Sequence, residues 1–184
     1  MPIDLQQKLL SLQAIAFDVD GVLTDGALTW NAADPATESK TFTFADIMGI
    51  SLARRLGLKL ALISGEPSPL VSRYAEKLHI QHVTKGCRDK ATALREFSTA
   101  TGVPLEHICF FGDDVNDLFP MEIAGLCACP ANAAKDVLTH VSAQGFLSTQ
   151  PGGRGAVREF VDAILTARQL IAKDVFLLRP PDDL

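Results

Sequence analysis

Residues 14–26 read "AIAFDVDGVLTDG". Ala14, Ile15, Ala16 and Phe17 form an apolar run of the length and type of a strand buried on both faces. Asp18 and Asp20 follow with one valine between them, then Gly21 and a third acid, Asp25. Carboxylates are costly to bury unless they are paired or hold a cation. A core strand that ends in acids points to a metal or a phosphate at that end.

The pattern outside this stretch says which kind of sheet the strand belongs to. Further strands are expected at 59–63 ("KLALI"), 80–84, 107–111 ("HICFF") and 125–129, with the first covering 14–18. Amphipathic helices are expected at about 48–57, 68–78, 88–101 and 115–123, and a last one over 154–170. Strands alternating with helices of this length imply a parallel sheet covered on both faces. One segment breaks the alternation. Residues 27–44 hold two β-prone pieces around a polar turn, Asn31–Lys40, and read as a β-hairpin inserted after the first strand.

The chain has 184 residues, enough for one domain with a sizeable core. A C-terminal tail runs from about 171, and its proline-broken end, "LLRPPDDL", is expected to be flexible unless a partner holds it. A net charge of −5 argues against a nucleic-acid or membrane-surface partner, which would want a basic patch. Cys87, Cys109, Cys127 and Cys129 lack zinc-site spacing and read as reduced thiols, three of them in apolar runs. His79, His82, His107 and His140 show no ligand spacing. The start, "MPIDLQQKLL", has no secretory pattern, and no apolar run reaches the ~20 residues of a membrane span, so a cytoplasmic protein is expected.

In an open parallel sheet, ligands bind at the carboxyl ends of the strands. Four polar groups fall there: Asp18 with Asp20, Ser64 with Gly65, Lys90, and the acids Asp113, Asp114 and Asp117 of "GDDVND". Three or more carboxylates at one rim repel unless a cation is present, and an all-oxygen set suits Mg²⁺. A hydroxyl, backbone amides and a lysine are what a phosphate dianion needs. An aspartate can be the nucleophile that takes the phosphoryl group, and a second carboxyl can then move protons. Each group alone has an ordinary explanation, as a loop acid, a helix cap or a solvated lysine. All four, in order and each at a strand end, point to Mg²⁺-assisted phosphoryl transfer.

These residues resemble the haloacid dehalogenase superfamily of phosphatases. The first motif is Asp18-Val19-Asp20-Gly21-Val22-Leu23-Thr24-Asp25, the second Ser64, the third Lys90, and the fourth Gly112-Asp113-Asp114-Val115-Asn116-Asp117. A closer resemblance covers about residues 10–170. It is to the small capless phosphatases of 3-deoxy-2-keto sugar acids, whose type member acts on 3-deoxy-manno-octulosonate 8-phosphate in lipopolysaccharide synthesis. Besides the motifs, it rests on the hairpin, on Phe42, Asp46, Gly49 and Ile50, and on "GGRGAVRE" at 152–159.

The resemblance implies a single domain over residues 1–184. Its expected fold is α/β, a Rossmann-like parallel sheet flanked by helices, with the hairpin and no separate cap. Asp18 would be the nucleophile and Asp20 the acid/base, with Ser64 and Lys90 holding the phosphoryl group and Asp117 orienting Lys90. Mg²⁺ would be held by Asp18, the Asp20 carbonyl and Asp113, with Asp114 close by through water. Gly21 would turn the chain and offer its amide to phosphate. Asp46, Gly65, Glu66, Lys77 and Arg154 would meet the substrate. In this family the hairpins of four subunits come together and wall each other's sites, so a homotetramer is expected, with Trp30, Phe42 and Phe44 as its contacts.

Spacing agrees with a capless protein, since only 45 residues separate Asp18 from Ser64 and 25 separate Ser64 from Lys90. The sequence departs from the octulosonate branch at two places that carry arginine there, here Ala45 and Glu66. Glu66 with Lys77 is closer to the branch acting on nonulosonate 9-phosphates. Two other functions were open on the residues. A receiver-like phospho-acceptor is disfavoured by the Asp-x-Asp pair and by Lys90 preceding the second acidic cluster. A non-catalytic module serving oligomerisation in sugar-nucleotide synthesis is disfavoured by the presence of Asp20. A phosphatase for another sugar phosphate is a further alternative.

Overall fold

In the computed structural model, which describes residues 3–180, the run Ala14–Phe17 is the central strand of a six-stranded parallel sheet. The elements that lead up to the first crossover are α1 (Ile3–Ser11), β1 (Ala14–Phe17), β2 (Thr29–Asn31), β3 (Asp34–Ser39), α2 (Phe44–Arg55) and β4 (Lys59–Ile63). They are followed by α3 (Pro69–Leu78), β5 (His82–Thr84), α4 (Lys90–Thr101), β6 (Ile108–Phe111) and α5 (Leu118–Ile123). The chain ends with β7 (Leu126–Cys129), α6 (Lys135–Gln144), β8 (Phe146–Leu147), α7 (Ala156–Ala167) and α8 (Ala172–Phe176). The sheet order is β5-β4-β1-β6-β7-β8. The chain first builds outward from β1 through β4 and β5, then returns to β1's other side with β6. That reversal makes the carboxyl ends of β1 and β6 a topological switch point, where such sheets bind ligands.

Alternation along β1 divides the core. Ile15 and Phe17 face the layer made by α1, α2, α3 and α7, while Ala14 and Ala16 face α4, α5 and α6. The first face packs Phe111 against Phe160 and Phe17, with large apolar side chains throughout. Among the described residues, no helix is long and apolar enough to cross a membrane.

The five expected strands and five expected helices are present, with ends shifted by a few residues. The segment 115–123 is a 3₁₀ turn, Val115–Asp117, running into α5. Helices α1 and α6 and the two-residue β8 were not expected. The polar turn Asn31–Lys40 is a correction: β3 lies inside it, paired antiparallel to β2 through Thr29 with Ser39 and Trp30 with Glu38. A hairpin that projects from the domain has no face to bury, so its strands carry no apolar alternation. Ahead of the proline-broken end, α8, also not expected, packs on α2, with Val175 buried and the Phe176 carbonyl accepting from Arg55 Nε at 3.1 Å. Residues 181–184 lie outside the described residues.

Helix α2 is tied to α7 by one carboxylate. Asp46, fully buried, accepts from the Gly155 and Arg158 amides at 3.1 and 3.0 Å and from the Thr43 hydroxyl at 2.7 Å. It supplies from a distance the cap that α7 lacks, since Gly155 offers no side chain at the N-cap. Gly49 allows the close approach, because a Cβ there would meet the Arg158 Cα at 2.9 Å. Asp46→Ala is expected to lower unfolding free energy by ~2–4 kcal/mol, since the buried Gly155 amide and the part-buried Arg158 amide and Thr43 hydroxyl would lose their acceptor. A denaturant midpoint unchanged from wild type would contradict this role.

Candidate active site

The first acidic loop leaves β1 and is held by contacts from the far end of the chain. Gly21 has φ +87°, and a Cβ on it would lie 2.1 Å from Asp113 Oδ2. The "GGRG" segment braces the same loop from outside. Gly153 donates its amide to the Val22 carbonyl at 2.9 Å, and a Cβ on Gly152 would overlap the Gly21 carbonyl. This pins Asp18 and Asp20 at the strand end.

The second acidic loop leaves β6 and closes on itself. Asp117, fully buried, accepts from the Asp113 and Asp114 amides through Oδ2 at 2.9 and 3.2 Å. Its Oδ1 accepts from Lys90 Nζ at 2.6 Å. Lys90 Nζ also stands 2.9 Å from Asp18 Oδ1. Lys90, at the start of α4, thus bridges the two loops from beneath.

The carboxylates form a tight set. Oxygens of Asp18, Asp113 and Asp117 lie within 4.8 Å of one another. Burial first, and then the charge of Asp117, push Asp18 up to about 7 despite Lys90. Burial, then the charges of Asp18, Asp117 and Asp114, push Asp113 up to about 8. Burial pulls Lys90 down, but Asp18 and Asp117 outweigh it and hold its ammonium above the ordinary lysine value. One lysine cannot balance three carboxylates. Asp113 Oδ1 is buried and, among the described residues, makes no hydrogen bond. Both oxygens of Asp117 are already occupied and Asp18 Oδ1 faces Lys90, so the unanswered acceptor of the set is Asp113 Oδ1. Hard oxygen donors with an unanswered buried acceptor fit a small divalent cation such as Mg²⁺.

Above the carboxylates opens a cleft of about 490 Å³, lined by Asp18, Asp20, Gly65, Glu66, Cys87, Arg88, Lys90, Asp113, Asp114 and Asn116. A larger cavity of about 630 Å³ lies elsewhere, between Arg54, Glu76, His79 and Arg179, away from the acidic loops. The sequence-expected residues Asp18, Asp20, Gly65, Glu66, Lys90, Asp113 and Asp114 are therefore brought to one place. Ser64 is buried at the end of β4 beneath Gly65 and Glu66, its hydroxyl accepting from the Glu66 amide at 3.1 Å.

Four expected substrate contacts stand elsewhere. Asp46 is used in joining α2 to α7. Lys77 points its ammonium over the Phe44 ring, 5.5 Å from the centroid, and does not line the cleft or pair with Glu66. Arg154 is exposed and lies 3.4 Å from Asp25. The Gly21 amide points to the Thr24 hydroxyl at 3.3 Å, not to the cleft. Of the expected intersubunit contacts, Phe42 stacks on Tyr74 of its own domain at 3.9 Å, whereas Trp30 and Phe44 are exposed.

Three residues at the cleft or against its acids are not among the expected site residues. Asn116 stands inside the fourth motif and Arg88 two residues before Lys90, and that nearness was the available signal. Lys40 gave none. Its side chain is 3% exposed, and Nζ lies 2.7 Å from Asp20 Oδ1 and 2.9 Å from Oδ2.

Residues 79–148 match a family model described as haloacid dehalogenase-like hydrolase. The chain is 36% identical over 167 residues to the 3-deoxy-D-manno-octulosonate 8-phosphate phosphatase of Haemophilus influenzae, covering 89% of this chain and 88% of the relative. It is 30% identical over 165 residues to the Escherichia coli protein of the same name, with 90% and 85% covered. Its fold matches the Moraxella catarrhalis octulosonate phosphatase, solved in complex with magnesium, phosphate and KDO, at a TM-score of 0.83 and 35% identity over 89% of this chain and 91% of that one. It also matches the cobalt-bound Haemophilus influenzae enzyme at 0.81 and 34%, over 89% and 92%. The chain belongs to the haloacid dehalogenase-like hydrolases, in the family of the 3-deoxy-D-manno-octulosonate 8-phosphate phosphatases, and is a phosphoric monoester hydrolase.

Proposed function

We propose that this phosphatase hydrolyses the phosphomonoester of a 3-deoxy-2-keto sugar acid, 3-deoxy-D-manno-octulosonate 8-phosphate or a nonulosonate 9-phosphate, through an aspartyl-phosphate on Asp18. The observation that carries the reading is the buried pair of Asp18 and Lys90, 2.9 Å apart, beside the unanswered carboxylate oxygen of Asp113. Asp18 attacks phosphorus and Asp20 moves the protons, first to the leaving oxygen and later from water. Asp18, Asp113 and the Asp20 carbonyl, with Asp114 near, would hold Mg²⁺, which would supply neutralisation of the charge that builds up in phosphoryl transfer. Ser64, Gly65 and Lys90 hold the phosphoryl group. The names of the relatives and the ligands of the Moraxella catarrhalis structure support this substrate class.

On the rim, Glu66 faces the cleft where the octulosonate branch carries arginine, and Arg88 brings a cation for the sugar acid's carboxylate. The cleft is open, so the reading makes the protein a cytoplasmic homotetramer, in which hairpins with exposed Trp30, and the exposed Phe44 that opens α2, wall neighbouring sites. The test is kcat/KM for the two sugar acid phosphates, with Glu66→Arg alongside. Glu66→Arg is expected to shift the ratio toward the octulosonate by ~10-fold or more, because it reverses a charge at the rim. Failure of both substrates to release phosphate would overturn the substrate class, and an unmoved ratio would remove Glu66 from specificity.

A further inference from the structure

Two lysines are buried beside the acids, and the chemistry above uses only Lys90. Lys40 leaves the hairpin one residue after β3 ends at Ser39 and two before Phe42 bridges Thr24. Its ammonium is within hydrogen-bond distance of both oxygens of Asp20. The same side of the hairpin carries a second tie. Glu38 accepts from the Ser68 hydroxyl, and Ser68 is the N-cap of α3, at the end of the loop that holds Ser64, Gly65 and Glu66. The loops after β1 and β4 are therefore both fastened to Glu38–Lys40, at the end of β3. The remainder of the hairpin is largely exposed, so its own packing gives no reason to bury a lysine. Burying an ammonium costs several kcal/mol unless a partner answers it, and Asp20 is that partner.

We propose that Lys40 is a positioning residue for Asp20, gripping both carboxylate oxygens and aiming them at the water that hydrolyses the aspartyl-phosphate. This rests on the reading of Asp18 as nucleophile and Asp20 as proton acceptor. In that step the water oxygen bonds to phosphorus, and the bond from phosphorus to Asp18 breaks. Its electron pair returns to the Asp18 carboxylate, and the water proton goes to Asp20. Lys40 touches none of the reacting atoms. It fixes the direction of the group that does, and because it stands on the hairpin it links the hairpin's place to the second half of the reaction.

Rapid mixing with p-nitrophenyl phosphate in Mg²⁺ separates the two halves. Nitrophenolate leaves without needing a proton, so the first half does not depend on Asp20. Asp20→Asn tests the underlying reading, which requires a burst of about one nitrophenolate per subunit before slow turnover. Lys40→Met is expected to lower kcat by ~10–100-fold, a part of what a general base contributes. Its kcat/KM should stay within ~3-fold and the same burst should appear. Lys40→Arg should restore most of kcat. If Lys40→Met does not fold, Lys40→Gln, with a polar head on a similar stem, is read the same way. A burst in Asp20→Asn with parallel loss of kcat and kcat/KM and no burst in the Lys40 variants, or wild-type kcat in them, would overturn the proposal alone. Absence of a burst in Asp20→Asn would overturn the reading beneath it.

Discussion

Asp18→Asn is expected to lose turnover of any phosphomonoester by on the order of 10⁴-fold or more while keeping the fold. The amide has the shape of the carboxylate but no free anion with which to attack phosphorus. Stability should not suffer. Asp18 is held up to about 7 by burial and by the Asp117 charge, so its ionised form is strained in the metal-free protein. Removing that charge relieves repulsion with Asp113 and Asp117, and the loss of the Lys90 contact is offset because Asp117 still accepts from Lys90 at 2.6 Å. Without metal at pH 8, the variant should melt at or above the wild-type temperature. Retained turnover would remove Asp18 from the nucleophile's place, and a collapsed fold would make it structural.

The second large effect is on metal removal. Chelation should abolish turnover, and Mg²⁺ should restore it, because Lys90 is one cation among three carboxylates and leaves the buried Asp113 Oδ1 unanswered. The pKa shifts give this a pH signature. Asp18 and Asp113 stand at about 7 and about 8 in the folded chain, above the ordinary 3.8. The folded state therefore binds more protons than the unfolded one between roughly pH 4 and 8. Metal-free stability should fall as pH rises through that window. Mg²⁺ competes with those protons, so its stabilisation should grow with pH. At ~100 times its Kd it adds ~2.7 kcal/mol, about 5–10 °C in Tm for a chain of this size. Calorimetry at pH 6 and pH 8, with and without Mg²⁺, checks it. An equal metal effect at both values, or turnover in excess chelator, would contradict the carboxylate centre.

The site's chemistry was legible because it is written at strand ends. Once β1, β4 and β6 are read as neighbouring parallel strands, Asp18, Gly65 and Asp113 must share a rim. What was not legible depends on contacts between distant segments that leave no local pattern. Asp46 reads as a polar residue in a motif, and only the docking of α7 on α2 shows that its oxygens are taken up by Gly155 and Arg158. Lys40 reads as the end of a polar turn, and only the path of the hairpin brings it to Asp20. Helix α6 has an apolar stripe of Val137 and Val141 but no side-chain cap at Ala134 to mark its start. Lys77 goes with Glu66 only through the resemblance to the nonulosonate branch, and α3 turns it toward Phe44.

The most direct test of the account is a single-turnover quench with a labelled sugar acid phosphate in Mg²⁺, using Asp20→Asn to hold the intermediate. The account predicts a hydroxylamine-sensitive phosphoryl label on the peptide that carries Asp18. Phosphate release with no covalent label, or a label on any other residue, would contradict it.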